Sequence, residues 1–478
     1  MPLPARETLL IAGALVLERD GAGWRTRTAD VLVEDGRIAR IGQITAEEAP
    51  VGARRLEGAG KLLAPGLVNA HGHSPMTLCP GTMDGANHPA FMWLSQADTS
   101  GRTPREVYVS AMLGCMQMLL TGTTAVIDHF PEQGFGAEDV DAVAQAYVDS
   151  GMRAVVALRI FDGSYDDIAP AGGAGLGNAG PLAPPSLDVQ QALVEGAIDR
   201  WHGHAGRLQV FPAPSNPARC SDALLTMCRD MAERRAVGIH THLLETEVQI
   251  GIARRRYGTT MVEHLDRLGL LGPSLTCAHC NWLSEGDIQL LAASGTVVAH
   301  NPESNQKLGS GVAPIPELMA AGATIALGTD GANHNDNLIM HESMKLAALL
   351  HRPRLTDRRR WILAGDALRM ATEGGARAMR LEGTIGRIAE GRAADLVLYD
   401  LSAPWWFPLN SPVEQMVHAE TGASVETVIV DGRVLVEDRR LTAFDGAAIK
   451  AEASEMLTAI RARNAALVDA TRSLAEQF

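Results

Sequence analysis

Leu67-Val-Asn-Ala-His71-Gly-His73 is the stretch on which the reading of the whole chain turns. Its small and apolar residues suit a short buried strand, and that strand ends in two histidines two positions apart. Side chains at i and i+2 of an extended chain share a face, so both imidazoles can reach one point. Seven further short apolar runs follow: Thr124–Asp128, Arg153–Ala157, Leu208–Phe211, Gly238–His242, Leu275–His279, Val297–His300 and Thr324–Gly328. Amphipathic stretches separate them. The clearest opens at Thr103-Pro-Arg-Glu106, a capping box with Pro at the first helical position, and runs to about Leu120. Eight strand–helix alternations predict an α/β fold, a (β/α)8 TIM-like barrel. A doubly wound open sheet is the alternative, but no Gly-x-Gly-x-x-Gly opens a helix after the first strand.

The two ends of the chain resemble each other and not the middle. Asp30–Ile41 alternates apolar and polar residues around Asp35-Gly36, and Thr427–Val436 does so around Asp431-Gly432. Asp-Gly between alternating runs is a strong hairpin signal, because the tight turn needs positive φ. Asp395–Tyr399 is another strand candidate. Both ends therefore predict one small β-sandwich domain, residues 1–63 and 386–445, beside a barrel over 64–385 and a C-terminal helix over 446–478.

Composition narrows the function classes. A chain of 478 residues with 46% hydrophobic side chains buries a large core, and a net charge of -14 argues against nucleic acid and acidic membranes. The apolar run Leu9–Leu17 is flanked by Glu7 and by Glu18-Arg19-Asp20 and lacks a cleavage site, so it reads as strand, and the protein is expected in the cytoplasm. No run is long enough to cross a membrane. Six scattered cysteines suit a reducing compartment. Pro170–Ser186, rich in Gly and Pro, is a candidate lid, with a plain surface loop as the alternative.

His242, His279 and Asp330 each fall at or just past the end of a strand, on the fifth, sixth and eighth. In a parallel barrel those ends meet at one mouth, so with His71 and His73 they form a metal-competent set. Glu245, three residues after His242, suits a proton shuttle. His129 and Arg159 end the second and third strands and are candidate substrate contacts. Cys277-x-x-Cys280 has no second Cys pair for a structural zinc site, and His418-Ala-Glu420 lacks the downstream Pro-Cys-x-x-Cys of small zinc deaminases.

Longer motifs extend these points. Pro65–Leu78, Gly122-Thr-Thr124, His240-Thr-His-Leu-Leu-Glu-Thr246, Asn301–Leu308, Ser310–Pro314, Gly328-Thr-Asp-Gly331 and Gly386–Asp395 keep, in order, the pattern of a known family. The sequence resembles the s-triazine hydrolase and nucleoside (S-adenosylhomocysteine/methylthioadenosine) deaminase branch of the amidohydrolase superfamily. The resemblance implies a metal-dependent hydrolytic deaminase. His71, His73, His242 and Asp330 would hold one divalent ion, zinc by default with iron(II) as the alternative. Hydroxide from water on that ion would attack a ring carbon while Asp330 takes the water's proton. Glu245 would protonate the ring nitrogen and His279 would stabilise the developing charge. Relatives with two metals bridge them through a carboxylated Lys on the fourth strand, and Leu208–Pro217 contains no Lys. Trp93 matches a tryptophan that walls the family's pocket. Nucleoside-deaminating relatives carry an acid just before that tryptophan, whereas this chain has Met92, so a small free heterocycle is the expected substrate. A different leaving group (chloride, alkylamine or a carbamoyl-type C–N bond), a nucleoside substrate and a catalytically dead scaffold are the competing readings. The expected partner is thus a small heterocycle, with no nucleic acid, no membrane, and a homodimer left open.

Overall fold

The structure, a computed structural model, describes residues 3–21, 23–45, 47–131, 135–163 and 184–475. All eight expected strands are present: β1 (Leu67–Gly72), β2 (Thr123–Phe130), β3 (Arg153–Ile160), β4 (Leu208–Pro214), β5 (Ile239–Leu243), β6 (Leu275–His279), β7 (Val297–His300) and β8 (Thr324–Leu327). They form two parallel four-stranded sheets, β1-β2-β3-β4 and β5-β6-β7-β8. Parallel strands covered on both faces need apolar side chains throughout, which is why these segments read as unbroken apolar runs. β4 outruns its expected end by three residues, since Pro212 and Pro214 pair with Leu158 and Ile160 of β3. A proline is tolerated there because the β4 flank away from β3 carries no regular ladder.

Backbone bonds bridge the two sheets at both flanks. His242 N donates to Ser215 O (3.4 Å) between β5 and the end of β4, and Asp330 N donates to His71 O (3.0 Å) between the end of β8 and β1. Asn69 reinforces the second junction, receiving Thr329 N (3.1 Å) and donating to Thr329 Oγ1 (2.8 Å). The approach is so close that a Cβ on Gly328 would lie 2.8 Å from His71 Cβ.

Two helices lead from β1 to β2: α1 (His88–Thr99) and α2 (Pro104–Leu120). Thr103 and Glu106 close the expected capping box at the start of α2, with Thr103 N to Glu106 Oε2 at 2.8 Å. The helix Gly446–Ala475 packs on both, and Asn464 Nδ2 donates to the carbonyls of Asp98 and Ser100, each at 3.2 Å.

Strands from both chain ends make one nine-stranded sheet. Leu9–Asp20 lies between Gly23–Glu34 and Lys61–Pro65, and Lys61–Pro65 pairs in turn with Leu396–Asp400. Both Asp-Gly turns adopt the left-handed conformation (Asp35 and Gly36 at φ 50 and 77°, Asp431 and Gly432 at 53 and 72°). Leu9, Ile11, Val31, Val33, Leu396 and Ile429 share a separate apolar core in this sheet. Among the described residues, no helix is long and apolar enough to cross a membrane. Most of Pro170–Ser186 lies outside the described residues.

Asp395 joins this sheet to β3. Its buried carboxylate receives Arg153 Nε (2.8 Å) and Nη2 (3.1 Å) and also Asp431 N (2.9 Å). Removing one partner of a buried pair strands the other charge, at a cost of about 3–5 kcal/mol. Asp395→Ala is therefore expected to lower the unfolding free energy by about that amount in urea titrations; a loss below about 1 kcal/mol would mean that the pair is solvated like a surface bridge.

Candidate active site

The strand ends deliver His71, His73, His242, His279, Glu245 and Asp330 to one place, as the spacing predicts. His71 Nε2 and His73 Nε2 lie 3.4 and 3.2 Å from Asp330 Oδ1. His279 Nε2 lies 3.8 Å from Asp330 Oδ2 and 4.0 Å from Glu245 Oε2. The His71 ring packs edge-on against those of His73 and His242, with centroids 4.9 and 4.8 Å away. Among the described residues, two overlapping sets have ligand atoms within 4.8 Å of one another and could hold a metal: His71, His73 and Asp330, and His71, His242 and His279.

The backbone at these positions is unusual. Leu244, His279 and Asp330 have φ of +47, +72 and +63°. Each such non-glycine residue costs about 1–3 kcal/mol and persists only where its surroundings hold it. Here Cys280 N is bonded to Leu243 O (2.9 Å), Asn281 N to Leu244 O (3.0 Å), and Asp330 N to His71 O.

Side-chain bonds behind the cluster set the rings. His242 Nδ1 lies 2.8 Å from the Ser215 carbonyl, which can only accept, so Nδ1 carries the proton and Nε2 presents its lone pair to the cluster. His279 Nδ1 is 2.8 Å from Asn305 Oδ1, and Asn305 Nδ2 donates to Asn281 Oδ1 (2.8 Å). Ser304 Oγ donates to Asp330 Oδ2 (2.6 Å).

Burial pushes the His71 pKa down to about 4 against the pull of Asp330. Burial likewise takes His242 well below the usual imidazole value, and His71 adds to the effect. Burial alone would raise the Glu245 carboxyl, but His279 and His88 together outweigh it and bring it down to about 2. Asp330 behaves similarly: burial raises it, and His334 followed by His71 carries it well below the carboxylate range. Burial thus favours the neutral form of His71 and His242, beside two ionised carboxylates.

A cavity opens onto this cluster, its empty space about 470 Å³ when the solvent-open mouth is included. Arg159 lines it, as the strand position suggested. Trp93 and His129 do not. The side chains that α1 gives to the lining are His88, Phe91 and Met92, spaced i, i+3 and i+4 on one helical face, and Trp93 falls a further 100° around. His129 lies beneath the cluster with its Nδ1 3.2 Å from His240 Nδ1. His240 stacks on His71 at 5.0 Å. Its place two residues before His242 was a signal of the same kind as His71-Gly-His73. Ser215, Arg219 and His334 also reach the cavity, and no local motif marks them. Cys277 and Cys280 are buried free thiols, and Glu420 is taken by the indoles of Trp405 and Trp406.

The chain is 36% identical over 441 residues to a 5-methylthioadenosine/S-adenosylhomocysteine deaminase of Syntrophobacter fumaroxidans, covering 91% of this chain and 94% of that one. It is 35% identical over 445 residues to a 5'-deoxyadenosine deaminase of Methanothermobacter thermautotrophicus, with 92% and 95% covered. Among solved structures, an adenosine deaminase from Xanthomonas campestris with bound zinc superposes with a TM-score of 0.84 at 31% identity, over 97% of this chain and 100% of that one. The atrazine chlorohydrolase of Arthrobacter aurescens, solved with zinc, gives 0.84 at 26% identity over 94% and 100%. The family model named Amidohydrolase family matches residues 62–435, a span that holds all eight strands and every residue of the cluster, and the chain belongs to that family.

Proposed function

We propose that this chain is a metal-dependent hydrolytic deaminase acting on a small amino-substituted heterocycle. The observation that carries the reading is the meeting of His71, His73, His242 and Asp330 beside Glu245 at one cavity, with the His242 lone pair turned inward. The reading includes a closed (β/α)8 barrel over 64–385, supported by the backbone bonds at both sheet junctions. It also includes a β-sandwich from 1–63 and 386–445 and a C-terminal helical segment over 446–478.

The donor set suits a divalent ion. Both ring nitrogens of His71 are buried with no hydrogen-bond partner among the described residues, which is costly unless they serve as ligands. His71, His73, His242 and Asp330 would hold one ion, zinc first and iron(II) second, and β4 offers no Lys to bridge a second. Such an ion, when bound, lowers the pKa of water toward neutrality.

The chain's own groups then divide the proton work. Asp330, an ionised carboxylate anchored by Ser304, accepts the proton of the attacking water. Glu245 is also held ionised, so it must take up a proton before it can hand one to the ring nitrogen beside the attacked carbon. His279 Nε2, 4.0 Å from one carboxylate and 3.8 Å from the other, is placed between them to stabilise the charge that develops at the attacked carbon. The departing amine collects its proton through the same groups.

Met92 and Phe91 line the cavity where an acid would be needed to accept bonds from ribose hydroxyls. Buried hydroxyls without partners cost about 1–3 kcal/mol each, which favours a free heterocycle over a nucleoside. The similarity to the atrazine chlorohydrolase favours, as a second reading, the same site with chloride or an alkylamine as leaving group.

Elemental analysis of protein purified without chelator is expected to find one divalent ion per chain; two, or none with full activity, would refute the mononuclear site. Glu245→Gln and Asp330→Asn should each lower kcat at least ~100-fold, the scale of a lost acid–base group. The Glu245 variant should keep its metal, and its loss from a folded variant would make Glu245 a ligand instead. Ammonia and chloride release should be measured on adenosine, 5'-methylthioadenosine, S-adenosylhomocysteine, free aminopurines, aminopyrimidines, pterins and triazines. The largest kcat/KM is expected for ammonia release from a free heterocycle; a nucleoside in first place would reverse the substrate assignment, and chloride release would establish the second reading.

A further inference from the structure

A general acid–base group works only if its carboxyl is aimed. At Glu245 the main chain is firmly held: Leu244 sits at φ +47°, and Asn281 Nδ2 donates to the Glu245 carbonyl (2.9 Å). That leaves the side chain, whose rotamer freedom must be restricted if the carboxyl is to keep its aim. His279 Nε2, at 4.0 Å from Oε2, is beyond hydrogen-bond distance. His88 Nε2 lies 3.3 Å from the same oxygen, an ion-pair contact rather than an aligned hydrogen bond, and this buried nitrogen has no hydrogen-bond partner among the described residues.

His88 is itself well fixed. It is the first residue of α1, whose start is capped by Asn87 Oδ1 accepting from Ala90 N (3.1 Å). The far end of α1 is tied to the helix Gly446–Ala475 through Asn464. The next turn of α1 places Phe91 edge-on to the His334 ring, with centroids 4.2 Å apart, and His334 Nδ1 lies 2.7 Å from Asp330 Oδ1. One face of α1 therefore touches the surroundings of both carboxylates.

We propose that His88 is a positioning residue for Glu245: its Nε2 faces Oε2 at 3.3 Å, holds that oxygen and leaves Oε1 for the substrate, so that α1 sets the aim of the acid–base group. The inference rests on Glu245 having the acid–base role given above. It explains why a histidine at the start of a helix between β1 and β2 is buried against a carboxylate that follows β5.

Crystal structures and kinetics of His88→Ala and His88→Gln test it. In the Ala variant the Glu245 carboxyl should leave its position or split between conformers, while α1 stays in place. In the Gln variant, whose amide N–H reaches about as far as Nε2, the carboxyl should remain. With the fastest compound of the panel above, His88→Ala should lower kcat about 10–100-fold, the usual scale for a group that orients a catalytic one, with little change in KM. His88→Gln should recover most of this. In the Glu245→Gln background, His88→Ala should change kcat no further, because the group it aims has gone. An unmoved Glu245 in the Ala variant, or equal kcat losses in both backgrounds, would overturn the proposal. If no compound of the panel is turned over by the wild-type protein, the deaminase reading fails, and the crystal structures still decide whether His88 holds Glu245.

Discussion

Imidazoles and carboxylates crowded together out of water are the constraint that organises this molecule. Each such group must find a partner or it costs free energy, and burial of this kind is tolerated only in a stiff frame. The parallel strands provide the frame. The bonds behind the cluster, Ser215 to His242, Asn305 to His279 and Ser304 to Asp330, decide which atom of each ring or carboxylate faces inward. The left-handed backbone at Leu244, His279, Cys280 and Asp330 stores local strain at the strand ends that carry the cluster.

The strands and the inward-facing ligand set were legible because both follow period-two geometry. His71-Gly-His73 needs no tertiary information to be read as two imidazoles on one face, and the positions of His242, His279 and Asp330 at strand ends follow from counting. The Asp-Gly hairpins were legible for a local reason too, the positive φ that the turn demands. The cavity wall was less so. Trp93 was assigned to the wall from the family resemblance alone, without a helix phase to place it, whereas Phe91 and Met92 line the cavity. A helix phase error of one residue moves a side chain 100° around the axis, whereas a strand end misplaced by two keeps it on its face. Ser215 was invisible as a functional group because it acts through a main-chain carbonyl, which any residue carries.

Asp395 shows how a small sheet and a large α/β unit are tied together. Its carboxylate accepts from Arg153 on β3 and from the main chain of the Asp431 turn, so one side chain serves a strand behind the active site and a hairpin near the far end of the chain. The fork geometry of the guanidinium matches both carboxylate oxygens, which a Lys at position 153 would not do.

The pairing of Lys61–Pro65 with Leu396–Asp400 bears on how the chain survives its own synthesis. A growing polypeptide has made Lys61–Pro65 long before residue 396 exists, so until then that strand presents a bare hydrogen-bonding edge to the cell. Bare edges recruit other strands, including those of sister chains. Leu62, Leu63 and Ala64, fully buried in the finished molecule, would meet water or a neighbour during that interval. Building one sheet from both ends of the chain thus sets a vulnerable period whose length is the translation time of everything between.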